Sequence, residues 1–184
     1  MSGVLEFEKF VRDYQNMVFT IACRLLADEM EAQDIAQDVF LKAFECFDNL
    51  RLSPTAGGWL KTVTRNLCLN HLTRHRRRRR LFSELAGDAG GDPGSGDPEK
   101  LFPVSDPADG ELQKEELHAL LSEALRKLPQ AQRVPLVLHY MEDMSCEAIA
   151  RSLHVGLSKV KTDIYRGRRA LRRVLSRCPE YGND

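Results

Sequence analysis

Long apolar runs are missing from this chain. No stretch of 18 apolar residues occurs in its 184 residues, so no membrane-spanning helix is expected. Paired cysteine motifs are missing too. Cys23, Cys46, Cys68, Cys146 and Cys178 are odd in number and widely spread, with no CxxC, which argues against a disulfide framework and for a reduced, cytoplasmic protein. The opening segment Met1–Lys9 is acidic and lacks the apolar core of an export signal. No Gly-rich phosphate loop, nucleophile–base pair or well-placed carboxylate pair appears, so neither an enzyme nor a cofactor is expected. No strand-like alternation competes with helical periodicity anywhere, and the fold class is all-α.

Net charge is also absent: 27 basic groups balance 27 acidic ones. That balance hides strong segregation. Residues 1–50 carry 4 basic and 10 acidic groups, residues 51–85 carry 9 and 1, residues 86–116 carry 2 and 9, and residues 117–184 carry 12 and 7. Alternating blocks of this kind suggest two basic surfaces for a polyanion, separated by acidic segments.

The apolar spacing divides the chain into two small helical domains. In residues 1–85, Phe7, Phe10, Val11, Tyr14, Val18, Ile21, Ala22 and Leu25 recur at steps of three and four. Ile35, Ala36, Val39, Phe40, Ala43, Phe44 and Phe47 repeat the pattern, and turn residues from Asp48 to Gly58 break it. A third helix, from about Trp59 to His75, is expected to bury Trp59, Leu60, Val63, Leu67 and Leu72 and to run into Arg76–Arg80. Residues 86–110 are dominated by Gly, Pro, Asp and Ser and read as a flexible acidic linker. Such a tether reaches ~80 Å when extended and averages ~28 Å as a coil. That is enough for two domains to engage sites two turns apart on one duplex, at ~34–36 Å per turn.

In residues 111–184, Leu117 to Leu128 form one apolar face, and Pro129 suits the start of the next helix, in which Pro135 is expected to introduce a kink. Ser145 is a plausible N-cap for a helix over Cys146–Leu153, and after His154-Val155-Gly156 a basic helix follows over Leu157–Leu175. These last two helices have helix-turn-helix spacing, with Ile149, Ala150, Leu153, Val155, Val160 and Ile164 at the contact. The second presents Ser158, Lys159, Lys161, Thr162 and Tyr165 near its N-terminus, followed by Arg166, Arg168, Arg169, Arg172 and Arg173. A helix end of this kind fits the major groove, with the arginines neutralising phosphate.

Two further groups carry chemistry. Trp59, Thr62, Arg65, Asn66 and Asn70 line the third helix, a mixture suited to single-stranded DNA through stacking, amide readout and phosphate contacts. Trp59 could equally be a core residue. Asp34, Gln37, Asp38 and Leu41 share a helical face that repels DNA and suits a basic protein surface, or is simply solvated. Cys68, His71 and His75 also fall on one helical face. With no fourth or acidic ligand placed by the sequence, they are read as part of an ordinary polar helix, and no metal is expected. From the residues alone, a stand-alone DNA-binding regulator and a metal-dependent sensor stay open as alternatives.

Three segments in order carry a resemblance. Asp34-Ile-Ala-Gln-Asp-Val-Phe-Leu-Lys-Ala-Phe44, Gly58-Trp59-Leu60-Lys-Thr-Val-Thr-Arg65-Asn66-Leu-Cys-Leu-Asn70, and Leu128-Pro129 through Leu171 resemble the bacterial RNA polymerase sigma factors of the extracytoplasmic-function group. The resemblance implies a promoter-specificity subunit with core polymerase and promoter DNA as partners and an anti-sigma protein as inhibitor. It implies that Asp34, Gln37 and Asp38 bind the polymerase clamp. Asn66 and Asn70, with the 48–58 loop, would hold flipped −10 bases, and Trp59 and Arg65 would hold the opened strand. Ser158, Lys161, Thr162 and Arg166 would read or clamp the −35 element. Four residues depart from the family pattern: His154 where the turn usually has Gly, Ala148 in place of a capping Glu, Asp163 where a basic residue is frequent, and Pro135 within its helix. Asp163 is expected to weaken phosphate binding or shift base preference.

Overall fold

The computed structural model describes residues 2–86 and 111–175, and every regular element in those residues is helical. The linker expected over 86–110 lies, apart from Ala86, outside the described residues. No helix among the described residues is long and apolar enough to cross a membrane.

The first unit comprises α1 (Ser2–Leu26), α2 (Glu29–Glu45), the one-turn α3 (Phe47–Leu50) and α4 (Ala56–Ala86). The corner between α1 and α2 is built locally. Ala27 adopts a left-handed conformation and donates its N–H to the Cys23 carbonyl (2.8 Å), and the Asp28 carboxylate accepts the Glu31 N–H (3.0 Å) as an N-cap. Val18, Ala22 and Leu25 of α1, Ala32, Val39 and Ala43 of α2, and Leu60 and Cys68 of α4 are buried against one another. Small alanines at these steps let the helices approach closely, and each buried Leu or Val contributes roughly 1.5–3 kcal/mol. Phe7, Phe10 and Phe47 close the far end, with Phe47 set edge-on to both other rings.

The third helix differs from its sequence reading in two ways. It begins at Ala56 and continues to Ala86, because arginine is a good helix former and the Arg76–Arg80 run does not interrupt it. Its inner stripe is Leu60, Thr64, Cys68, Leu69 and Leu72, whereas Val63 and Leu67 lie on the flanks. Thr64 tolerates burial because its hydroxyl donates to the Leu60 carbonyl at 2.7 Å. Burial also pushes the Cys68 thiol up to about 12, as suits a cysteine acting as a small core hydrophobe.

The second unit comprises α5 (Glu111–Arg126), α6 (Gln130–Tyr140), α7 (Cys146–Leu153) and α8 (Leu157–Leu175). Helix α6 continues through the buried Pro135. Pro135 has no N–H for the carbonyl of Ala131, and Ala131 is exposed. Gly167 allows α8 to cross α6 closely: a Cβ there would lie 2.9 Å from a Leu136 methyl and 3.1 Å from the Gln132 carbonyl. The close approach of α8 to α6 therefore depends on the absence of a side chain at Gly167.

A buried cation sits where the two units meet. Arg133 of α6 is 6% exposed. Its guanidinium donates to the carbonyls of Leu26 (3.0 Å), Leu25 (3.4 Å) and Leu128 (3.0 Å). The first two are terminal carbonyls of α1, which have no intrahelical donors and carry the negative end of the helix dipole. Burial lowers the Arg133 pKa, so these carbonyls are what compensate the desolvated charge.

Replacing Arg133 with Ala is expected to destabilise the chain by about 3 kcal/mol, since several charge-assisted hydrogen bonds are lost together. It should also enlarge the radius of gyration. Urea denaturation and small-angle scattering check both effects, and an unchanged midpoint with unchanged dimensions would contradict this role.

Candidate functional site

The buried face of α2 is Ala32, Ile35, Val39 and Ala43, which turns Asp34, Gln37, Asp38 and Leu41 outward, and all four are exposed. The stripe is longer and more apolar than the sequence suggested. Met30 is 72% exposed, Leu41 64% and Phe44 58%, and with Asp34 and Gln37 they recur at steps of three and four along one side. Phe44, assigned to the inner face from sequence, instead lies on the outer flank, with its ring set edge-on to Phe7 at 5.0 Å. Exposed large apolar groups among carboxylates are a surface suited to a protein partner and unsuited to DNA. The same helical step that marked Asp34 also marked Met30 and Phe44.

On α4 the outward residues are Thr62, Asn66 and Asn70, all exposed, with Arg65 half-buried beside them. Trp59 is half-buried and packs on the core, so its ring has both a structural and an accessible side. The surroundings of Arg65 could not be read from the sequence. Glu142, in the turn between α6 and α7, lies in the field of Arg65, Lys61 and Arg24. Burial nonetheless raises the Glu142 pKa, outweighing the attraction of the three cations. An acid from the second unit thus lies within electrostatic range of the cations on α4.

The helix-turn-helix forms as its spacing indicated. Ser145 caps α7, its hydroxyl accepting the Ala148 N–H at 3.1 Å. The capping Glu missing at Ala148 is partly replaced by Glu147. Hydrogen bonds from its own backbone N–H and from Ser145 hold its carboxyl below the usual range. After α7 the Val155 N–H reaches the Ala150 carbonyl (3.1 Å) and the His154 N–H reaches the Arg151 carbonyl (3.3 Å), a Schellman closure. His154 supplies the left-handed residue, at φ 55° and ψ 47°, where glycine is ordinarily preferred, and its Nδ1 lies 2.7 Å from the Arg151 carbonyl oxygen.

Helix α8 buries Val160 and Ile164 and turns Ser158, Lys159, Lys161 and Thr162 to solvent, with Tyr165 and Arg166 half-buried below them. The Thr162 hydroxyl bonds back to the Ser158 carbonyl at 2.9 Å. Asp163 stands apart from these outward residues. It is 7% exposed and faces inward, with its carboxylate 3.3 Å from the Lys159 ammonium. It therefore pairs with Lys159 along its own helix instead of standing among the outward side chains.

These features define an all-helical protein with two basic, outward helices and one acidic–apolar ridge. Comparisons with known proteins agree. The Sigma-70 region 2 family matches residues 10–78, and the Sigma-70, region 4 family matches residues 118–171. The ECF RNA polymerase sigma factor SigW of Bacillus subtilis is 30% identical over 175 residues, covering 92% of this chain and 88% of that protein. The RNA polymerase sigma-H factor of Pseudomonas aeruginosa is 30% identical, covering 92% and 86%. The RNA polymerase sigma-E factor of Streptomyces coelicolor is 30% identical, covering 95% and 89%. The chain belongs to the extracytoplasmic-function group of the sigma-70 family.

Two substitutions test this geometry. His154→Gly removes left-handed strain of roughly 1 kcal/mol and should raise the thermal midpoint, whereas His154→Ala keeps the strain, loses the ring contact and should lower it. A lower midpoint for the glycine variant would contradict the assignment. For Glu142 the folded-state pKa lies above its ordinary 4.5, so the folded state holds the proton more tightly and stability falls as pH rises above 4.5. Glu142→Gln should remove that fall and be at least as stable at neutral pH. An unchanged pH profile in calorimetry would contradict it.

Proposed function

We propose that this chain is a promoter-specificity subunit that binds core RNA polymerase through α2 and contacts promoter DNA through α4 and α8. The observation that carries the reading is the separation of surfaces on one chain. An acidic–apolar ridge of Asp34, Gln37, Asp38 and Leu41 lies on α2, and outward Asn, Arg, Lys and Thr side chains lie on α4 and α8. A duplex repels the first surface and attracts the other two, so protein and DNA can be held together without competing for the same face.

In this reading residues 1–85 recognise and open the −10 element, and residues 111–184 bind the −35 element through the helix-turn-helix, with residues 86–110 as the tether. Melting costs stacking and pairing energy. Capture of extruded bases by Asn66 and Asn70, with Trp59 and Arg65 holding the strand, offsets that cost only at matching sequences. On α8, Ser158, Lys161 and Thr162 reach base edges, while Arg166 and, after release from Asp163, Lys159 neutralise phosphate; Tyr165 supports them from the half-buried side. The chain itself performs no covalent step and works in the cytoplasm. Glu142 lies in the field of Arg65 and Lys61, so separation of the two units would leave those cations more available to a DNA strand. An inhibitory anti-sigma partner would act by holding the two units together.

The double charge reversal Asp34→Lys with Asp38→Lys is expected to weaken binding to core polymerase at least tenfold, about 1.4 kcal/mol. Because both residues are exposed, the circular dichroism spectrum and thermal midpoint should not change. Fluorescence titration with purified core enzyme checks this, and unaltered affinity would contradict the assignment. Specific, tight duplex binding by the chain without polymerase would favour a stand-alone regulator instead.

A further inference from the structure

Glu31, His71 and His75 converge where the first turn of α2 meets the second half of α4. The Glu31 backbone is fixed by the Asp28 cap. His71 and His75 are one helical turn apart, with ring centroids 4.9 Å from each other and planes inclined by 31°. The Glu31 Oε1 lies 3.1 Å from His71 Nε2 and 3.4 Å from His75 Nε2. All three donor atoms lie within 4.8 Å of one another.

Two details distinguish this group from a surface ion pair. The first is alignment. His71 Nε2 is buried and, despite its short distance to the carboxylate, has no hydrogen-bond partner in proper geometry. A buried ring nitrogen left in this state is costly unless something else satisfies it. The second is spacing. Bonds of ~2.0–2.1 Å from a tetrahedral zinc ion to imidazole nitrogen and carboxylate oxygen place neighbouring donors ~3.3–3.4 Å apart. The two Glu–His separations bracket that value. A metal does not require the two donors to point at each other; it requires both to point at a common centre.

We propose that Glu31, His71 and His75 form a divalent transition-metal site, with Zn2+ as the ion its donors suit best. Two imidazoles and one carboxylate are a recognised zinc ligand set that leaves a fourth position for water or another ligand. The site replaces the Cys68–His71–His75 triad considered from sequence. Cys68 is fully buried in the α1–α4 packing and is not among the three converging donors. Nothing local in the sequence joins Glu31 to the histidines forty residues later; only the packing of α2 on α4 does so.

The position of the site gives it consequence. Glu31 is one turn before Asp34, and His71 directly follows Asn70. A bound ion would tie α2 to α4 beside both surfaces and fix their relative placement. Metal supply would then tune this unit, whatever polymerase and promoter the chain serves, and the site itself does not depend on that assignment.

The test uses full-length, tag-free protein stripped of metal. Equilibrium dialysis should give one Zn2+ per chain. Co2+ should produce the intense visible absorption of a tetrahedral complex, displaced by Zn2+. Zinc should raise the thermal midpoint. His75→Ala and Glu31→Gln, both at partly exposed positions, should each weaken Zn2+ binding at least tenfold while circular dichroism shows the fold intact, and Cys68→Ser should retain binding. Absence of stoichiometric binding would overturn the proposal and leave a plain Glu–His ion pair. Binding that survives His75→Ala and Glu31→Gln, or that is lost in a folded Cys68→Ser variant, would overturn it by moving the ion elsewhere.

Discussion

The placement of the two described units against each other turns on Arg133. A guanidinium removed from water must find acceptors, and those it finds are the last carbonyls of α1 and of the α5 turn. No carboxylate is among those acceptors. The contact is therefore directional rather than merely electrostatic: it forms only when α6 is set against the C-terminal end of α1. That placement brings the α6–α7 turn, and with it Glu142, alongside Lys61 and Arg65 of α4. A half-buried acid whose pKa is raised despite three nearby cations is a poor source of stability. Arg133 and the apolar packing hold the units together, while Glu142 covers a basic surface at some cost.

This balance has a functional meaning in the reading advanced above. A chain that presents nucleic-acid-binding helices should bind polyanions indiscriminately unless its basic groups are screened. Here screening is built in at two levels. Acidic and basic segments alternate along the sequence, and in the folded molecule Glu142 lies in the field of Arg65 while Asp163 pairs with Lys159. In this reading the single i,i+4 pair of Lys159 with Asp163 is modest and can be exchanged for a phosphate. The acidic–apolar ridge of α2 is directed away from the core throughout and needs no such exchange.

Much of this was legible in the sequence where the physics is local. The limits of α7 and α8 followed from the Ser145 cap, the break at His154–Gly156 and an uninterrupted helical stripe, while only the family resemblance marked His154 as standing where glycine is usual. The outward set Asp34, Gln37, Asp38 and Leu41 followed from a three- and four-residue step. What escaped was tertiary. Phe44 fits either flank of an amphipathic pattern, and only contact with α1 decides which. Thr64 and Cys68 take inner positions from Val63 and Leu67 because α4 rolls against α1 and α2. Asp163 reads as a surface charge until Lys159 folds back onto it. Arg133 and Glu31 find their partners far along the chain, where no periodicity can point to them.

The most direct measurement is high-throughput mapping of transcript 5′ ends made by core RNA polymerase on a random promoter library, with and without the full chain. The account predicts starts that appear only when the chain is present and that lie downstream of one shared pair of sequence elements. Starts distributed as they are with core enzyme alone would contradict it.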